Sequence, residues 1–292
     1  MTTRSKTSSD GAHHSFGTSG FVVLEGGRRL HYMERGVGDV TVVFESGMGF
    51  SRSTWGLIAP VIGDCTRTVV YDRAGLGRSD VDEEPRTLER LADDLDHLLT
   101  SLGEGPFLLV GHSWGGPIVR AVAAAHPERI AGIVLVDQTD ENCALYFENS
   151  TAKRFAASGP MVQTLARLKL YKLIGGRSGR VQPADVTADH LAEDFTTRAA
   201  ATTSAELRDL LTDLAGLRDA PLDLHGTPVT VISGTAPARG DGGLRASLTA
   251  AHRETAAALG AEFTEAQQSG HLVMFTEPQL VVDEIVSLLD RV

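Results

Sequence analysis

The stretch that decides the fold is LLVGHSWGG, residues 108–116. Its central five residues, GHSWG (111–115), have the form G-x-S-x-G and lie between an apolar run typical of a strand and a pattern typical of a helix. A serine on a sharp strand-to-helix turn has an exposed hydroxyl, and the flanking glycines let neighbouring chain segments approach closely. The first N–H groups of the helix are free to bind a developing oxyanion. The stretch therefore predicts a nucleophile at Ser113.

Outward from this turn, short β-type runs alternate with longer helical patterns, which is typical of an α/β domain around a mostly parallel sheet. Leucines at three-to-four spacing over residues 87–103 predict one amphipathic helix, and residues 277–289 predict the closing helix. Residues 141–220 carry helical patterns and no convincing strand. We expect an α/β core over 20–140 and 221–292, a helical segment over 141–220, and a disordered polar tail over 1–19.

The composition is that of an ordinary globular protein. The chain has 292 residues, of which 42% are hydrophobic, and 27 Lys and Arg against 38 Asp and Glu give a net charge of −11. Such a surface as a whole repels phosphate backbones and anionic lipid, so we expect neither a nucleic-acid nor a membrane partner. No apolar run approaches the length of a membrane span, the N-terminus lacks a secretory apolar region, and the two cysteines show no metal-binding or disulfide pattern. These features predict a cytoplasmic protein.

A serine hydroxyl is a poor nucleophile near neutral pH unless an imidazole takes its proton. The chain has ten histidines, and His271 is the one that follows the last predicted strand in a glycine-flanked loop. That loop lies at the carboxyl edge of the sheet, where open α/β sheets bind their ligands and where Ser113 is expected. His112 adjoins the serine, but its side chain is expected to point along the turn in a packing role. We therefore predict His271 as the general base.

Four segments together resemble the α/β-hydrolase superfamily: GMG at 47–49, DRAGLGRS at 72–79, GHSWGG at 111–116, and SGH at 269–271 followed by Glu277-Pro278. The chain is most similar to the cofactor-free serine hydrolases that carry a helical cap after the sixth strand. This resemblance covers residues 20–140 and 221–292. It implies an eight-stranded, mostly parallel sheet flanked by helices, with residues 141–220 as the cap, and a reaction scheme that requires no metal or organic cofactor.

The acid that orients His271 is left open by the sequence. Many relatives place an aspartate just after the seventh strand, but residues 233–241 here read SGTAPARGD, so Asp241 comes several residues late. Members that resemble haloalkane dehalogenases use the end of the sixth strand, where this chain has Asp137. We favour Asp137, with Asp241 as the alternative and Asp140 or no acid as further options. Asp137 also suits a purely structural role as a cap on the loop that follows its strand.

The resemblance assigns the oxyanion hole to the backbone N–H groups of Met48 and Trp114. Relatives often have His-Gly before the first of these residues, where this chain has Ser46-Gly47. We predict a serine hydrolase that cleaves a carboxylic ester, or a lactone or thioester, of a small hydrophobic molecule through an acyl-enzyme. The alternative is a non-hydrolytic enzyme (a cyclase, lyase or acyltransferase) or a ligand-binding protein on the same fold. The oligomeric state stays open.

Overall fold

The computed structural model describes residues 4–6, 14–237 and 243–292. One sheet runs through the centre of the protein. Its strands are β1 (Arg4–Lys6), β2 (Thr18–Val23), β3 (Arg29–Arg35), β4 (Thr41–Glu45), β5 (Arg67–Tyr71), β6 (Phe107–His112), β7 (Ile130–Val136), β8 (Val229–Gly234) and β9 (Glu262–Ala266). Across the sheet they lie in the order β1-β2-β3-β5-β4-β6-β7-β8-β9. Pairs β1–β2, β2–β3 and β3–β5 are antiparallel, and every other pair is parallel. The predicted eight-stranded, mostly parallel sheet is confirmed, with β1 as an additional edge strand.

Helices flank the sheet on both faces. The α-helices are α1 (Ala59–Ile62), α2 (Leu88–Leu102), α3 (Gly115–Ala125), α4 (Asn149–Arg167), α5 (Tyr171–Gly175), α6 (Ala184–Glu193), α7 (Thr197–Asp219), α8 (Leu244–Leu259), α9 (Val273–Thr276) and α10 (Pro278–Leu289). Strands β4, β6 and β8 are buried at every position, because their alternate side chains enter two separate cores. Leu109 belongs to the core beneath α2, α3 and α8, whereas Leu108 belongs to the core beneath α1 and α10.

Helix α2 shows why the sequence pattern worked. The Thr87 side chain accepts a hydrogen bond from Arg90 N and caps the first turn, and Gly103 follows the last residue with φ +136°. The leucines at three-to-four spacing face the core. The helical segment between β4 and β5 is short. It is divided into a 3₁₀ turn, Arg52–Trp55, and α1.

Between β7 and β8 the chain forms helices and no strand, as expected for residues 141–220, which we call the helical insertion. Helices α4 and α7 pack against each other, and Gly159 allows a close approach, since a Cβ there would lie 2.6 Å from Ser204 Oγ. Across the described residues, no helix combines the length and apolar character that crossing a membrane would require.

The segment expected to form a disordered tail, residues 1–19, is partly folded. Arg4–Lys6 pairs with β2, and β2 itself begins at Thr18. The backbone N–H and the hydroxyl of Ser15 donate hydrogen bonds of 2.6 and 2.9 Å to the Asp185 carboxylate on α6. The polar composition of this segment gave no sign of a partner 170 residues away. Residues 1–3 and 7–13 lie outside the described residues.

Candidate active site

Ser113 stands on the turn between β6 and α3, with its backbone in the left-handed region at φ +53°. This backbone conformation is unfavourable for residues other than glycine, and surrounding hydrogen bonds hold Ser113 in it. Ser113 N donates to Val136 O at 3.2 Å, and the Ser113 carbonyl accepts from Gly116 N and Thr139 N at 3.0 and 2.9 Å. The turn presents Ser113 at the carboxyl edge of the sheet.

The two glycines of the motif are required by close packing. A Cβ at Gly111 would lie 2.6 Å from the carbonyl oxygen of Gly115. A Cβ at Gly115 would lie 2.6 Å from the carbonyl oxygen of Glu45, at the end of β4. Real Cβ atoms do not approach backbone oxygens so closely, so the strand-turn-helix unit can form only with glycine at both positions.

His271 lies in the loop between β9 and α9, and its Nδ1–H donates to Asp137 Oδ2 at 2.8 Å. Asp137 follows β7 with φ +43° and is fully buried. Its Oδ1 accepts from Gly234 N at 2.9 Å, which ties the carboxylate to the end of β8. Asp140 accepts instead from Gln138, Asn142 and Thr255, so its carboxylate is directed away from His271. Asp241 lies outside the described residues.

Arg245 is a neighbour of the site that sequence reasoning missed. Its Nη1–H, at the start of α8, donates to Asp137 Oδ2 at 2.7 Å, the same oxygen that His271 binds. Burial by itself would raise the pKa of the Asp137 carboxyl, but the hydrogen bond and charge of His271, with the charges of His252 and Arg245, lower the pKa well below its usual value. Asp137 is thus an ionised carboxylate throughout the physiological pH range.

Ser113 and His271 line one cavity of about 350 Å³. Ser113 Oγ lies 3.4 Å from Thr139 Oγ1, and within the described part of the chain no hydrogen bond joins Ser113 Oγ to His271. Contacts of this kind often shorten only when substrate binds. The side chains on the cavity wall are mostly apolar, and they come from three parts of the fold. They include Met48 and Trp114 from the core, Tyr146, Phe155, Leu207 and Leu210 from the helical insertion, and Leu244, Arg245 and Leu248 from α8.

His112 packs beside His271 and holds its backbone. The His112 Nε2–H donates to the His271 carbonyl oxygen at 2.9 Å, and the two ring centroids are 4.7 Å apart. Burial, together with the charge of His271, lowers the pKa of His112 to about 3, so this imidazole is neutral at pH 7. The side chain therefore has the packing role that its place beside the nucleophile indicated.

The loop after β4 lies directly against the nucleophile, since a Cβ at Gly47 would be 3.1 Å from Ser113 Cβ. Among the described residues, neither Met48 N–H nor Trp114 N–H donates to a protein acceptor, so both are available to a ligand. Ser46 supports the loop by donating from its hydroxyl to Ser51 O at 2.9 Å. This bond occurs at the position where relatives often have histidine.

A buried arginine connects this loop to the helical insertion. The Arg73 guanidinium donates to the carbonyl oxygens of Ser46 and Gly47, the second at 3.0 Å. It is held by Glu45 at 2.5 Å and by two hydrogen bonds of 3.0 and 2.9 Å to Glu206 on α7. Burial raises the pKa of Glu45 even though Arg73 and Tyr71 favour its ionised form. Glu45 thus acts as a buried structural acid, and sequence reasoning missed Glu206, which lies inside a polar helix pattern.

The comparisons with known proteins agree with this architecture. A family model described as the alpha/beta hydrolase family matches residues 42–284. A cis-3-alkyl-4-alkyloxetan-2-one decarboxylase from Shewanella oneidensis is 34% identical over 115 residues, which are 38% of this chain and 36% of that protein. Bifunctional epoxide hydrolase 2 from Sus scrofa is 31% identical over 119 residues, 39% of this chain and 21% of that protein. The matched stretch is thus less than half the length of these curated relatives.

Similarity in structure extends over nearly the whole chain. The crystal structure of a hydrolase from Pseudomonas aeruginosa PA01 superposes with a TM-score of 0.69 at 22% identity, covering 92% of this chain and 97% of that one. At this level of identity the superposition shows a common fold. Because the family model matches most of the sequence, the chain belongs to the alpha/beta hydrolase family.

Proposed function

We propose that this protein is a serine hydrolase that cleaves a carboxylic ester, or a lactone or thioester, of a small hydrophobic molecule. The observation that carries the proposal is that Ser113 and His271 line one apolar cavity while Asp137 holds the Nδ1–H of His271. In the resulting tautomer the Nε2 of His271 is an acceptor, which is what a general base beside a serine needs. Two unpaired backbone donors, Met48 N–H and Trp114 N–H, adjoin the same serine and would form the oxyanion hole.

The reaction follows from these positions. Ser113 Oγ attacks the carbonyl carbon as His271 Nε2 takes its proton, and the carbonyl electron pair moves onto the oxygen between Met48 N–H and Trp114 N–H. The tetrahedral intermediate collapses, the carbon–oxygen bond to the leaving group breaks, and His271 returns the proton to the departing alcohol. A water molecule then attacks the acyl-enzyme with His271 as its base. The acid leaves and the Ser113 hydroxyl is restored.

The cavity supports a hydrophobic substrate of modest size. Its volume of about 350 Å³ is near the lower end of the range for small-molecule sites, about 300–1,000 Å³. Leucine and aromatic side chains cover most of its wall, so binding removes apolar surface from water, at about 25 cal/mol per Å². A short aliphatic or aromatic acyl group fits this environment better than a sugar or a highly charged group.

A non-hydrolytic reaction on the same fold is the second candidate. One observation favours it: a relative with 34% identity over 115 residues is named as a decarboxylase. A decarboxylase or lyase would convert a substrate without passing through a stable acyl-enzyme on Ser113. The two candidates therefore differ in whether Ser113 becomes acylated during turnover.

The test is intact-mass measurement after treatment with a small fluorophosphonate, with Ser113→Ala as the control. We expect one adduct on the wild-type protein and none on the variant, followed by hydrolysis of p-nitrophenyl esters with burst kinetics. A folded wild-type protein that forms no adduct and hydrolyses no ester would refute the hydrolase proposal and favour the second candidate. An adduct that persists in Ser113→Ala would place the reactive group elsewhere.

A further inference from the structure

One surface of the helical insertion has a charge opposite to that of the whole protein. Residues 149–183 contain seven Lys and Arg and no Asp or Glu, in a chain whose net charge is −11. All seven are exposed, namely the pair Lys153 and Arg154 and five more between Arg167 and Arg180. In the part of the chain that the structure describes, none of the seven has a carboxylate within ion-pair distance, unlike buried arginines such as Arg73. Residues 149–183 therefore carry seven charges that no described acidic side chain pairs with, and five of them lie between Arg167 and Arg180.

The same surface exposes large apolar side chains. Five of the nine exposed large hydrophobic residues among the described positions lie between 161 and 181, with Leu168 62% and Leu173 72% exposed. They are interleaved with the charges, since residues 167–173 read RLKLYKL. Leu173 also borders one shallow surface depression with Arg177 and Arg180. Single exposed hydrophobic residues are common, but a group of them on one segment marks a surface that binds something. We call residues 161–181 the basic-apolar surface.

This surface is only loosely joined to the rest of the molecule. In the described part of Asn149–Ser178, the hydrogen bonds stay within the segment or reach the adjoining residues Glu148 and Arg180. Helix α4 is held instead by apolar packing on α7. The exposed basic and apolar side chains of residues 161–181 therefore make no ion pair or hydrogen bond with other parts of the described protein, and they remain available to a partner.

We propose that the basic-apolar surface docks on an anionic lipid bilayer. Leucine, methionine and valine side chains would enter the interfacial layer, while the long Lys and Arg side chains would extend to the lipid phosphates around them. Nucleic acid would pair with the charges but would leave the exposed leucines in water. An acidic protein partner would need carboxylates and apolar pockets that alternate to match residues 167–173. A bilayer needs no such match, because anionic headgroups and an apolar layer are present at every point of its surface.

We expected no membrane partner because the net charge of the whole chain is negative. That sum hides the local positive charge of the basic-apolar surface. Charges are screened over about 8–10 Å at physiological ionic strength, so a bilayer in contact with residues 161–181 responds to the basic face and hardly to the acidic remainder. The proposal goes beyond the hydrolase function and does not depend on it. Docking would also bring the bilayer close to the candidate site, because α4 carries both part of the basic-apolar surface and Phe155, which lines the cavity that contains Ser113.

The experiment is flotation of the full-length protein with vesicles of phosphatidylcholine alone, and with vesicles of equal parts phosphatidylcholine and phosphatidylglycerol. We expect the wild-type protein to float with the anionic vesicles at low salt, to be released by high salt, and to bind phosphatidylcholine weakly. The charge variant Lys169→Gln/Lys172→Gln/Arg177→Gln is expected to lose about a hundredfold in partitioning, since each basic residue near the surface contributes about a factor of five. The apolar variant Leu168→Ser/Leu173→Ser is expected to lose about tenfold or more.

The matched control is Val37→Ser/Arg29→Gln, which removes an exposed apolar side chain and an exposed charge outside the basic-apolar surface, Val37 being 87% exposed. It should float like the wild type. All variants change exposed residues, so unchanged thermal melting and unchanged hydrolysis of a water-soluble ester should accompany the loss of binding. Failure of the wild-type protein to float with the anionic vesicles at low salt would overturn the proposal and leave an acidic protein as the occupant. Unchanged binding by the charge variant, or equal binding to both vesicle types, would overturn it as well.

Discussion

Replacement of Asp137 by asparagine changes one atom of the candidate site and reverses a hydrogen bond. In the native protein both carboxylate oxygens accept hydrogen bonds, Oδ2 from His271 and Arg245 and Oδ1 from Gly234 N. An asparagine amide has one oxygen and one NH₂ group. In one orientation the NH₂ group faces the N–H groups of His271 and Arg245, and in the other it faces the N–H of Gly234, so a donor always faces a donor. Because Asp137 is fully buried, no water relieves the conflict.

The expected loss can be worked out from this geometry. Without the carboxylate, His271 no longer has a charged acceptor for Nδ1–H, so the tautomer with a free Nε2 is not enforced and the imidazolium formed during attack is not stabilised. In serine triads this exchange lowers kcat by about 10⁴, which corresponds to about 5.4 kcal/mol in the activation free energy. Breaking the buried pair with Arg245 should also lower the free energy of unfolding by about 3 kcal/mol.

The assay is kcat and KM for a p-nitrophenyl ester, together with urea unfolding, at a temperature well below the melting point of the variant. Asp140→Asn is the matched control, because Asp140 is also fully buried near the same strand end but binds Gln138, Asn142 and Thr255. It should lose stability while kcat stays within a few-fold of the wild type. Asp241→Asn should also leave kcat nearly unchanged. A kcat for Asp137→Asn within tenfold of the wild type, or a larger loss for Asp241→Asn, would refute the reasoning.

Three further predictions follow from the same structure. Phe155 and Leu207 separate the Ser113 cavity from a second cavity of about 320 Å³ between α4 and α7, so Phe155→Ala should move the preference among p-nitrophenyl esters toward longer acyl chains; an unchanged preference would contradict this. His112 stays neutral down to a pKa of about 3 while its unfolded value is about 6.5, so the unfolded chain binds the extra proton and stability falls as pH drops through that window. Between pH 7.5 and 5.5, the free energy of unfolding measured in urea should fall by about 1.4 kcal/mol less for His112→Asn than for the wild type. An equal fall in both proteins would show that His112 is not the source of the pH dependence. Glu206→Gln weakens the ion pair with Arg73, which supports the loop that carries Met48 N–H. Steady-state kinetics should therefore show kcat falling about tenfold with little change in KM, and a change in KM alone would contradict the link between Glu206 and this loop.

The parts of the fold that sequence analysis predicted well depend on neighbours along the chain. Helix α2 has its cap at Thr87, its apolar stripe and its terminal Gly103 within one short window. The turn at Ser113 likewise has its strand, its glycines and its helix within the continuous stretch 107–125. Local patterns of this kind specify a local structure directly, because every interaction that forms the element is present in the stretch that is read.

The parts that escaped prediction depend on contacts between residues far apart in sequence. Arg245 reaches Asp137 across 108 positions, and Glu206 reaches Arg73 across 133. Each belongs to a helix whose pattern is complete without it, so an arginine or a glutamate there is indistinguishable from a solvated residue. The prediction of Asp137 rests on the resemblance to members that place the acid at the end of the sixth strand, and that strand end can be recognised in the local sequence. Its buried pairing with Arg245 had no local counterpart.

The two long helices that line the cavity, α4 and α7, differ in how they are anchored to the core, and this difference bears on how a ligand would reach Ser113. Hydrogen bonds join helix α7 to the core. Glu206 accepts from Arg73, Arg198 donates to the carbonyl oxygens of Gly77 and Ser79, and Thr202 donates to the carbonyl oxygen of Gly75. Movement of α7 would pull on the loop that holds Met48 N–H and would disrupt the proposed oxyanion hole. Among the described residues, α4 makes no hydrogen bond of this kind to the core, and it contributes Phe155 to the same cavity wall. We therefore expect a ligand to reach Ser113 on the α4 side, where a displacement of α4 would open the cavity and leave the contacts of α7 in place.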